Sequence, residues 1–351
     1  MTRHPRRSFA ALAPLALAAA GAFSGTAHAQ STVKLYGLLD MSAGTFQNAG
    51  GTKLTRAESG NFSTSFIGFS GNEDLGGGLS TLFAIESFLR MDTGQSGRVA
   101  VDVSPRTDVF WARAANVGLS GSFGTARLGR NTTPLFISTL IFNPFGDSFG
   151  FSPSIRQYYT AALLGDSGWS NSLRYDSPKF GGASVTLLGS LGENSSKSVG
   201  KNIGGNVLYF GGPFAATFAY QDVKNDLDFR FSTALPAGFV DQKTWQIGAS
   251  YDLGMAKLYG QYGDVKTTAA ANTEAKISQV GVSAPISVGS FLASYGQAKY
   301  TGATVGTSKT TTIGYDYNLS KRTDVYAVYL NDKFTALTSG NTFALGLRHT
   351  F

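Results

Sequence analysis

Short segments in which apolar and polar residues alternate recur along the chain and are its strongest structural signal. In residues 244–253, one side consists of Trp245, Ile247, Ala249, Tyr251 and Leu253, and the other side is mostly small and polar. The same alternation is found in 183–190, 214–221 and 310–317. A period of two residues is typical of β-strands that have one polar and one apolar face, so the sequence predicts an all-β protein.

The length of these segments indicates a membrane barrel. Ten residues at about 3.3 Å each, tilted by about 45°, span about 23 Å, close to the apolar band of about 25 Å in outer-membrane barrels. No segment after residue 29 has the 18 or more continuous apolar residues of a transmembrane helix. A membrane protein built from these strands must be a closed barrel, in which every backbone group is paired.

Counting the segments gives about sixteen antiparallel strands, joined alternately by short turns and longer outer loops. The predicted turns are residues 71–78, 120–124, 176–182, 211–213, 252–254, 285–289 and 318–322. Seven turns imply eight hairpins, and an even strand number with both termini in the periplasm is what bacterial barrels require.

The N-terminus has the pattern of a secretory signal peptide. Arg3, Arg6 and Arg7 precede a short apolar run that ends before Ala27-His28-Ala29. We therefore expect cleavage after Ala29, which leaves residues 30–351 as the barrel.

Composition narrows the possible functions. Only 15% of residues are charged, and there are 44 glycines and no cysteine, whereas globular chains average about 25% charged residues. Without the three arginines of residues 1–29, the 29 basic and 22 acidic residues leave 26 − 22, a net charge of +4. These basic residues are scattered, which argues against nucleic-acid binding. We expect no cofactor, metal site or catalytic residue.

Several motifs resemble the general porins of beta-proteobacteria, the family that includes Neisseria, Bordetella, Comamonas and Burkholderia porins. They are Val33-Lys34-Leu35-Tyr36-Gly37-Leu38-Leu39-Asp40, Gly71-Asn72-Glu73-Asp74-Leu75-Gly76-Gly77-Gly78-Leu79, Tyr175-Asp176-Ser177-Pro178-Lys179-Phe180-Gly181-Gly182 and Gly346-Leu347-Arg348-His349-Thr350-Phe351. The resemblance implies a sixteen-stranded outer-membrane barrel, usually a homotrimer, through which small hydrophilic solutes diffuse passively. It also implies that the third outer loop, here 131–168, folds into the lumen as a constriction.

Strand parity predicts which charges line the pore. Arg127 and Arg174 have apolar neighbours, which should face lipid because an arginine there would cost about 2–4 kcal/mol, so both arginines should face the lumen. The same reasoning places Asp40, Glu86 and Arg90 on the inner face.

Three further residues complete the predicted constriction. Arg130 enters the third loop, and Asp147 is the expected acid on that loop. Arg113 resembles an arginine of the family's fourth strand, although its parity leaves its orientation open. The arginine excess predicts a weak anion preference. Phe66 stands where the family commonly has another arginine, which argues for weaker selectivity.

The C-terminal residue Phe351 resembles the terminal signal that the barrel-assembly machinery reads. The other expected partners are two further copies of the chain, outer-membrane lipid with lipopolysaccharide, and small anionic and neutral solutes.

The same barrel could carry other functions. A phospholipase or protease needs a nucleophile and a base, yet the only histidine after residue 29 is His349, on the predicted lipid face. A surface adhesin and a substrate-specific channel remain open alternatives. For the latter, Tyr36, Phe66 and Tyr259 could contribute an aromatic slide.

Overall fold

The protein, described by a computed structural model over residues 32–98, 108–191, 201–224 and 235–351, is almost entirely β-structure. Its strands are β1 (Thr32–Phe46), β2 (Leu54–Ser59), β3 (Phe66–Gly76), β4 (Leu79–Arg90), β5 (Gln95–Ser96), β6 (Ala114–Gly121), β7 (Gly124–Thr132), β8 (Gly168–Asp176), β9 (Ala183–Ser190), β10 (Ile203–Gly211), β11 (Phe214–Val223), β12 (Asp241–Asp252), β13 (Lys257–Thr268), β14 (Thr273–Ile286), β15 (Gly289–Gly302), β16 (Gly306–Asn318), β17 (Thr323–Phe334) and β18 (Gly340–Thr350). Two helices, α1 (Pro134–Ile141) and α2 (Pro153–Gln157), and a π-helical turn (Tyr158–Ala162) lie between β7 and β8. Neither helix is long or apolar enough to cross a membrane. The predicted signal peptide, 1–29, lies outside the described residues.

The strands form one closed antiparallel barrel. The first strand, β1, pairs with the last, β18, in a register that runs from Leu38 opposite Thr350 to Thr45 opposite Phe343. Two strands, β2 and β3, are halves of a single barrel strand, because both pair with β1, and β5 is a two-residue extension paired with the end of β4. The barrel therefore has sixteen strands, which confirms the predicted fold.

The connections differ from the predicted alternation of short and long segments. All seven predicted turns lie at one end of the barrel. At the other end, three connections expected to be long loops contain only residues 269–272, 303–305 and 335–339. The strands before and after them extend for 11 to 14 residues, and their outer ends carry Lys, Thr and Gln. Such polar ends resemble loops in a hydrophobicity pattern, although they continue the hydrogen-bonded ladder.

The barrel wall is polar inside and apolar outside. On β12, Gln242, Thr244 and Gln246 are fully buried, whereas Ile247 and Tyr251 are 48% and 46% exposed on the outer surface. This is the reverse of a water-soluble sheet, and it is the arrangement of a barrel that faces lipid outside and encloses a polar interior.

The long connection between β7 and β8, residues 133–167, folds into the barrel. Thr133 and Ser152 cap α1 and α2 through their hydroxyl oxygens, and a proline follows each cap, a favourable start for a helix. Leu135 and Ile155 are fully buried against the inner wall, in a cluster that includes Ala219, Val265, Ala275, Ile277 and Ala298. The predicted lumenal loop is therefore packed, and we call residues 133–167 the lumenal loop.

Small inner-wall residues make room for the lumenal loop. Each of the strands β12 to β16 has a glycine where the lumenal loop lies against the wall: Gly248, Gly263, Gly281, Gly296 and Gly314. A Cβ atom at Gly281 would lie 2.7 Å from Pro144 Cδ, and one at Gly296 would lie 2.6 Å from Pro153 Cβ. At Gly281 and Gly296 the loop therefore approaches the wall too closely for a Cβ atom without a shift of the loop or the strand.

Candidate pore constriction

The lumenal loop is hydrogen-bonded to one side of the inner wall. On the β11 side, Ser138 Oγ lies 2.9 Å from Thr217 Oγ1, and on β13, Gln261 donates to the Thr139 carbonyl oxygen at 2.9 Å. Farther along the loop, Gln279 of β14 accepts from Ser154 N at 3.0 Å, and Thr312 of β16 donates to a loop carbonyl at 2.8 Å. Several charged side chains that stay partly exposed lie across the lumen, on β6 to β8 and just before them.

Arg127 and Arg174 both face the lumen and share one carboxylate. They are register partners on β7 and β8, and Asp176 accepts from Arg127 Nη1 at 2.5 Å and from Arg174 Nη2 at 2.8 Å. Their side chains are 28% and 17% exposed, and that of Asp176 is 25% exposed. Two guanidinium groups for one carboxylate leave this group with a net charge of +1.

Arg113, whose orientation the sequence left open, lies on the inner side with Glu86. The Glu86 carboxylate accepts from Arg113 and from Tyr36 Oη, the latter at 2.5 Å. The guanidinium group of Arg113 lies 3.8 Å from the centre of the Phe66 ring, and Phe66 meets Tyr36 edge to face at 5.9 Å. Phe66 therefore orients the guanidinium group of Arg113, at a position where the family resemblance implies a further arginine.

Asp147 lies at the tip of the lumenal loop, between Phe145, which is fully buried, and Ser148. Burial raises the pKa of the Asp147 carboxyl, and the positive charges of Arg113 and Arg348 offset that rise in part. The loop thus places an acid near Arg113 and Arg348.

A cavity of about 510 Å³ lies between the lumenal loop and the end of the barrel that carries the longer loops. Arg90 lines it and pairs with Asp92 at 3.2 Å. The other charged residues that line it include Arg56, Glu58, Arg98 and Arg156. This cavity forms a vestibule with more arginines than carboxylates.

Asp40 faces inward, but it is fully buried and holds the broken second barrel strand together. Its carboxylate accepts from the backbone of Phe62 and Ser63, each at 2.7 Å, and from Tyr326 Oη at 2.6 Å. The two backbone donors hold residues 60–65, between β2 and β3, against β1. Asp40 therefore has a structural role, and its carboxylate is not exposed to the pore.

Arg130 is also buried, in a network that ties the lumenal loop to the loop after β4. Asp166 accepts from Arg130 Nη2 at 2.5 Å and from Arg98 Nη1 at 2.6 Å, and Arg98 also pairs with Asp108 at 2.8 Å. Burial alone would raise the pKa of Asp166, but the charges of Arg98 and Arg130 outweigh burial and hold the pKa below its usual value. We call Arg98, Asp108, Arg130 and Asp166 the loop clamp.

The last residue, Phe351, completes the barrel seam. Its backbone N and O each pair with Gly37, at 3.1 and 3.2 Å. This placement agrees with a terminal strand, and the role of Phe351 as an assembly signal stays a prediction.

One further inward-facing arginine, Arg348, is not among the predicted pore residues, although strand parity identifies it. Arg348 lies between Leu347 and His349 on β18, so parity points it inward. It pairs with Asp316 at 2.7 Å and Asp324 at 2.9 Å. No alternation pattern could have identified Arg98 or Asp166, because both lie in loops.

Comparison with known proteins identifies the family. The profile described as "Gram-negative porin" matches residues 16–337. The chain is 31% identical to outer membrane porin protein 32 of Delftia acidovorans over 333 residues, covering 92% of this chain and 88% of the relative. It is 26% identical to major outer membrane protein P.IB of Neisseria meningitidis serogroup B over 350 residues, covering 92% and 95%.

The solved structure of an anion-selective porin from Comamonas acidovorans matches with a TM-score of 0.77 and 27% identity, covering 92% of this chain and all of that one. A closed sixteen-stranded barrel with a polar interior and an inward-folded loop fits a diffusion channel. The chain therefore belongs to the Gram-negative porin family and is an outer-membrane channel for the passive diffusion of small hydrophilic solutes.

Proposed function

We propose that this porin is a homotrimeric general diffusion pore with a weak preference for small anions. The lumenal loop acts as its constriction, and neutral solutes pass as well. Support for the anion preference comes mainly from the Arg127, Arg174 and Asp176 group, in which two partly exposed guanidinium groups share one carboxylate.

The preference is weak because most other lumenal arginines have their own acids. Arg113 pairs with Glu86, Arg156 with Asp332, and Arg348 with two aspartates. At about 0.15 M salt, charges are screened beyond about 8 Å, so an ion senses only the nearest groups. A small local excess of positive charge lowers the barrier for anions without excluding cations.

Reversal potentials in planar bilayers under a KCl gradient test this proposal. We expect a modest potential of the sign that chloride permeation gives, and the double variant R127Q/R174Q should move it toward cation permeation. The control R322Q removes an exposed arginine from the turn between β16 and β17 and should leave the potential unchanged. A clear cation preference of the unmodified protein would overturn the proposal.

Further proposals concern export and partners. We propose that residues 1–29 are a signal peptide cleaved after Ala29. We also propose that the barrel-assembly machinery recognises Phe351. The outer surface of the barrel then contacts lipid and lipopolysaccharide. We also propose that the protein has no enzymatic activity, since its family is one of channels. Mass spectrometry of protein purified from outer membranes tests the cleavage site, and an N-terminus other than Gln30 would contradict it.

A further inference from the structure

The break in the second barrel strand places six extra residues between β2 and β3. Ser59 at the end of β2 pairs with Met41 of β1, and Phe66 at the start of β3 pairs with Leu38. Two residues of β1 therefore lie opposite six residues, 60–65, whereas an ordinary β-bulge adds one residue. The surplus cannot stay in the hydrogen-bonded ladder, so it leaves the plane of the wall. We call residues 60–65 the inner bulge.

Asp40 holds the inner bulge along its whole length. Besides accepting from Phe62 N and Ser63 N through its carboxylate, it binds both ends of the bulge through its backbone. Its carbonyl oxygen accepts from Gly60 N at 3.0 Å, and its own N–H donates to Ser65 Oγ at 2.9 Å. One fully buried residue therefore fixes the start, the middle and the end of the inner bulge.

The tip of the lumenal loop rests directly on the inner bulge. The carbonyl oxygen of Asn61 accepts from Gly150 N at 3.0 Å and from Ser148 Oγ at 2.6 Å. A Cβ atom at Gly150 would lie 2.8 Å from the same carbonyl oxygen, so the two backbones are in close contact. The tip is thus held by the second barrel strand in addition to its hydrogen bonds with β14 and β16.

The ring of Phe62 fills the space between the inner bulge and the loop tip. It lies 6.0 Å from the ring of Phe145 and 6.3 Å from that of Phe151, both in the lumenal loop, and 4.9 Å from the ring of Tyr326 on β17. All four side chains are buried. Tyr326 also donates to the Asp40 carboxylate, so the aromatic packing and the carboxylate belong to one connected unit.

The position of the loop tip determines how much of the lumen stays open. The tip carries Asp147 and lies near Arg113, which is partly exposed on the inner side of the barrel. We propose that Asp40 is a positioning residue of the constriction, which holds the loop tip through the inner bulge and so sets the width of the pore. This inference rests on the proposed role of the lumenal loop as the constriction.

Single-channel recording and liposome swelling with uncharged sugars of graded size test the proposal. D40A leaves the buried N–H groups of Phe62 and Ser63 without an acceptor, which costs enough to shift an equilibrium about tenfold or more. We therefore expect the time spent in a larger conductance state to rise at least about tenfold. The swelling rate with a trisaccharide, which does not depend on charge, should rise as well.

Two variants separate the position of the tip from the stability of the barrel. F62A leaves Asp40 intact but removes the ring that packs against the tip, and it should widen the pore in the same way. The control N202A also removes a buried acceptor of a backbone N–H, that of Lys224 at 3.0 Å, near the start of β10. N202A should keep the conductance and the sugar swelling rates of the unmodified protein.

An engineered disulfide between the inner bulge and the tip provides the rescue. The chain has no cysteine, and a Cβ atom at Gly150 would lie 3.0 Å from Asn61 Cα, so a small shift allows a disulfide between these positions. In D40A/N61C/G150C, oxidation should restore the narrow pore and reduction should widen it again. A role of Asp40 in barrel stability alone would not respond to this lock.

Replacement of residues 142–152 by a glycine-serine linker separates this inference from the role of the loop. If the linker widens the pore while D40A and F62A behave like the unmodified protein, the role assigned to Asp40 is wrong. Equal conductance of the oxidised and reduced forms of D40A/N61C/G150C would also overturn it. If the linker does not widen the pore, the lumenal loop is not the constriction and both proposals fail.

Discussion

Replacing Asp166 with Asn removes the central acid of the loop clamp. In the native structure the carboxylate accepts from Arg98 at 2.6 Å, from Arg130 at 2.5 Å and from its neighbour Ser167 N at 2.6 Å. The side chains of Arg98 and Asp166 are 1% and 3% exposed. The clamp contains two arginines and two aspartates, so the variant leaves it with a net charge of +1 in a buried position.

The magnitude follows from this burial. Breaking a buried ion pair by removing one partner costs about 3–5 kcal/mol, and we expect a loss of this size in the free energy of unfolding at neutral pH. Because the pKa of Asp166 lies below its usual value, the carboxylate stabilises the fold at pH values above the unfolded pKa of about 4. That stabilisation is lost as pH falls through the lower pKa of the folded state. The difference between the variant and the unmodified protein should therefore shrink at low pH.

Urea unfolding of the refolded protein in detergent, followed by tryptophan fluorescence, measures this difference, since the buried Trp169 is close in sequence to Asp166. The variant E73Q, which changes an exposed acid near the end of β3, is the control. In the double variant D166N/R130Q the charges of the clamp balance again, so part of the loss should be recovered. A loss of less than about 1 kcal/mol for D166N, or no recovery in the double variant, would refute the reasoning.

Three further predictions concern the constriction. F66R adds a cation beside Arg113 and should move the reversal potential under a KCl gradient toward the equilibrium potential of chloride. An unchanged reversal potential would contradict the position assigned to Phe66. Burial raises the pKa of Asp147 above the usual aspartate value of about 4. The carboxylate therefore loses its charge as pH falls through that raised pKa. The anion preference should rise over that range in the unmodified protein but not in D147N, and parallel pH profiles would disprove this role. G281A places a Cβ 2.7 Å from Pro144 Cδ, so overpacking should lower the free energy of unfolding by about 1–3 kcal/mol; unchanged urea unfolding would show that the loop does not press on this strand.

Much of the barrel could be predicted from the sequence because membrane and lumen impose opposite preferences on alternate residues. That constraint is periodic, so it fixed the strand number, the seven turns and the inward direction of Arg127 and Arg174. It fails where polar residues continue a strand beyond the apolar band. The short connection 303–305 follows such an extended end, at Lys299.

The constriction could be predicted only in part, because its contacts join segments far apart in the chain. Nothing local in the sequence shows that Asp40 accepts from Ser63 and Tyr326, which removes it from the open lumen. The clamp between Arg98 and Asp166 likewise depends on how two loops meet. Parity gives the direction of a side chain on a strand, but not whether another segment covers it.

A diffusion channel requires that this barrel enclose a continuous water-filled path, narrowed by the lumenal loop. Single-channel recording of the purified, folded protein in planar bilayers tests it most directly. We predict discrete, ohmic conductance steps, with larger steps when residues 142–152 at the loop tip are replaced by a short glycine-serine linker. Absence of conductance in the folded unmodified protein, or steps of the same size after the loop is shortened, would contradict the account.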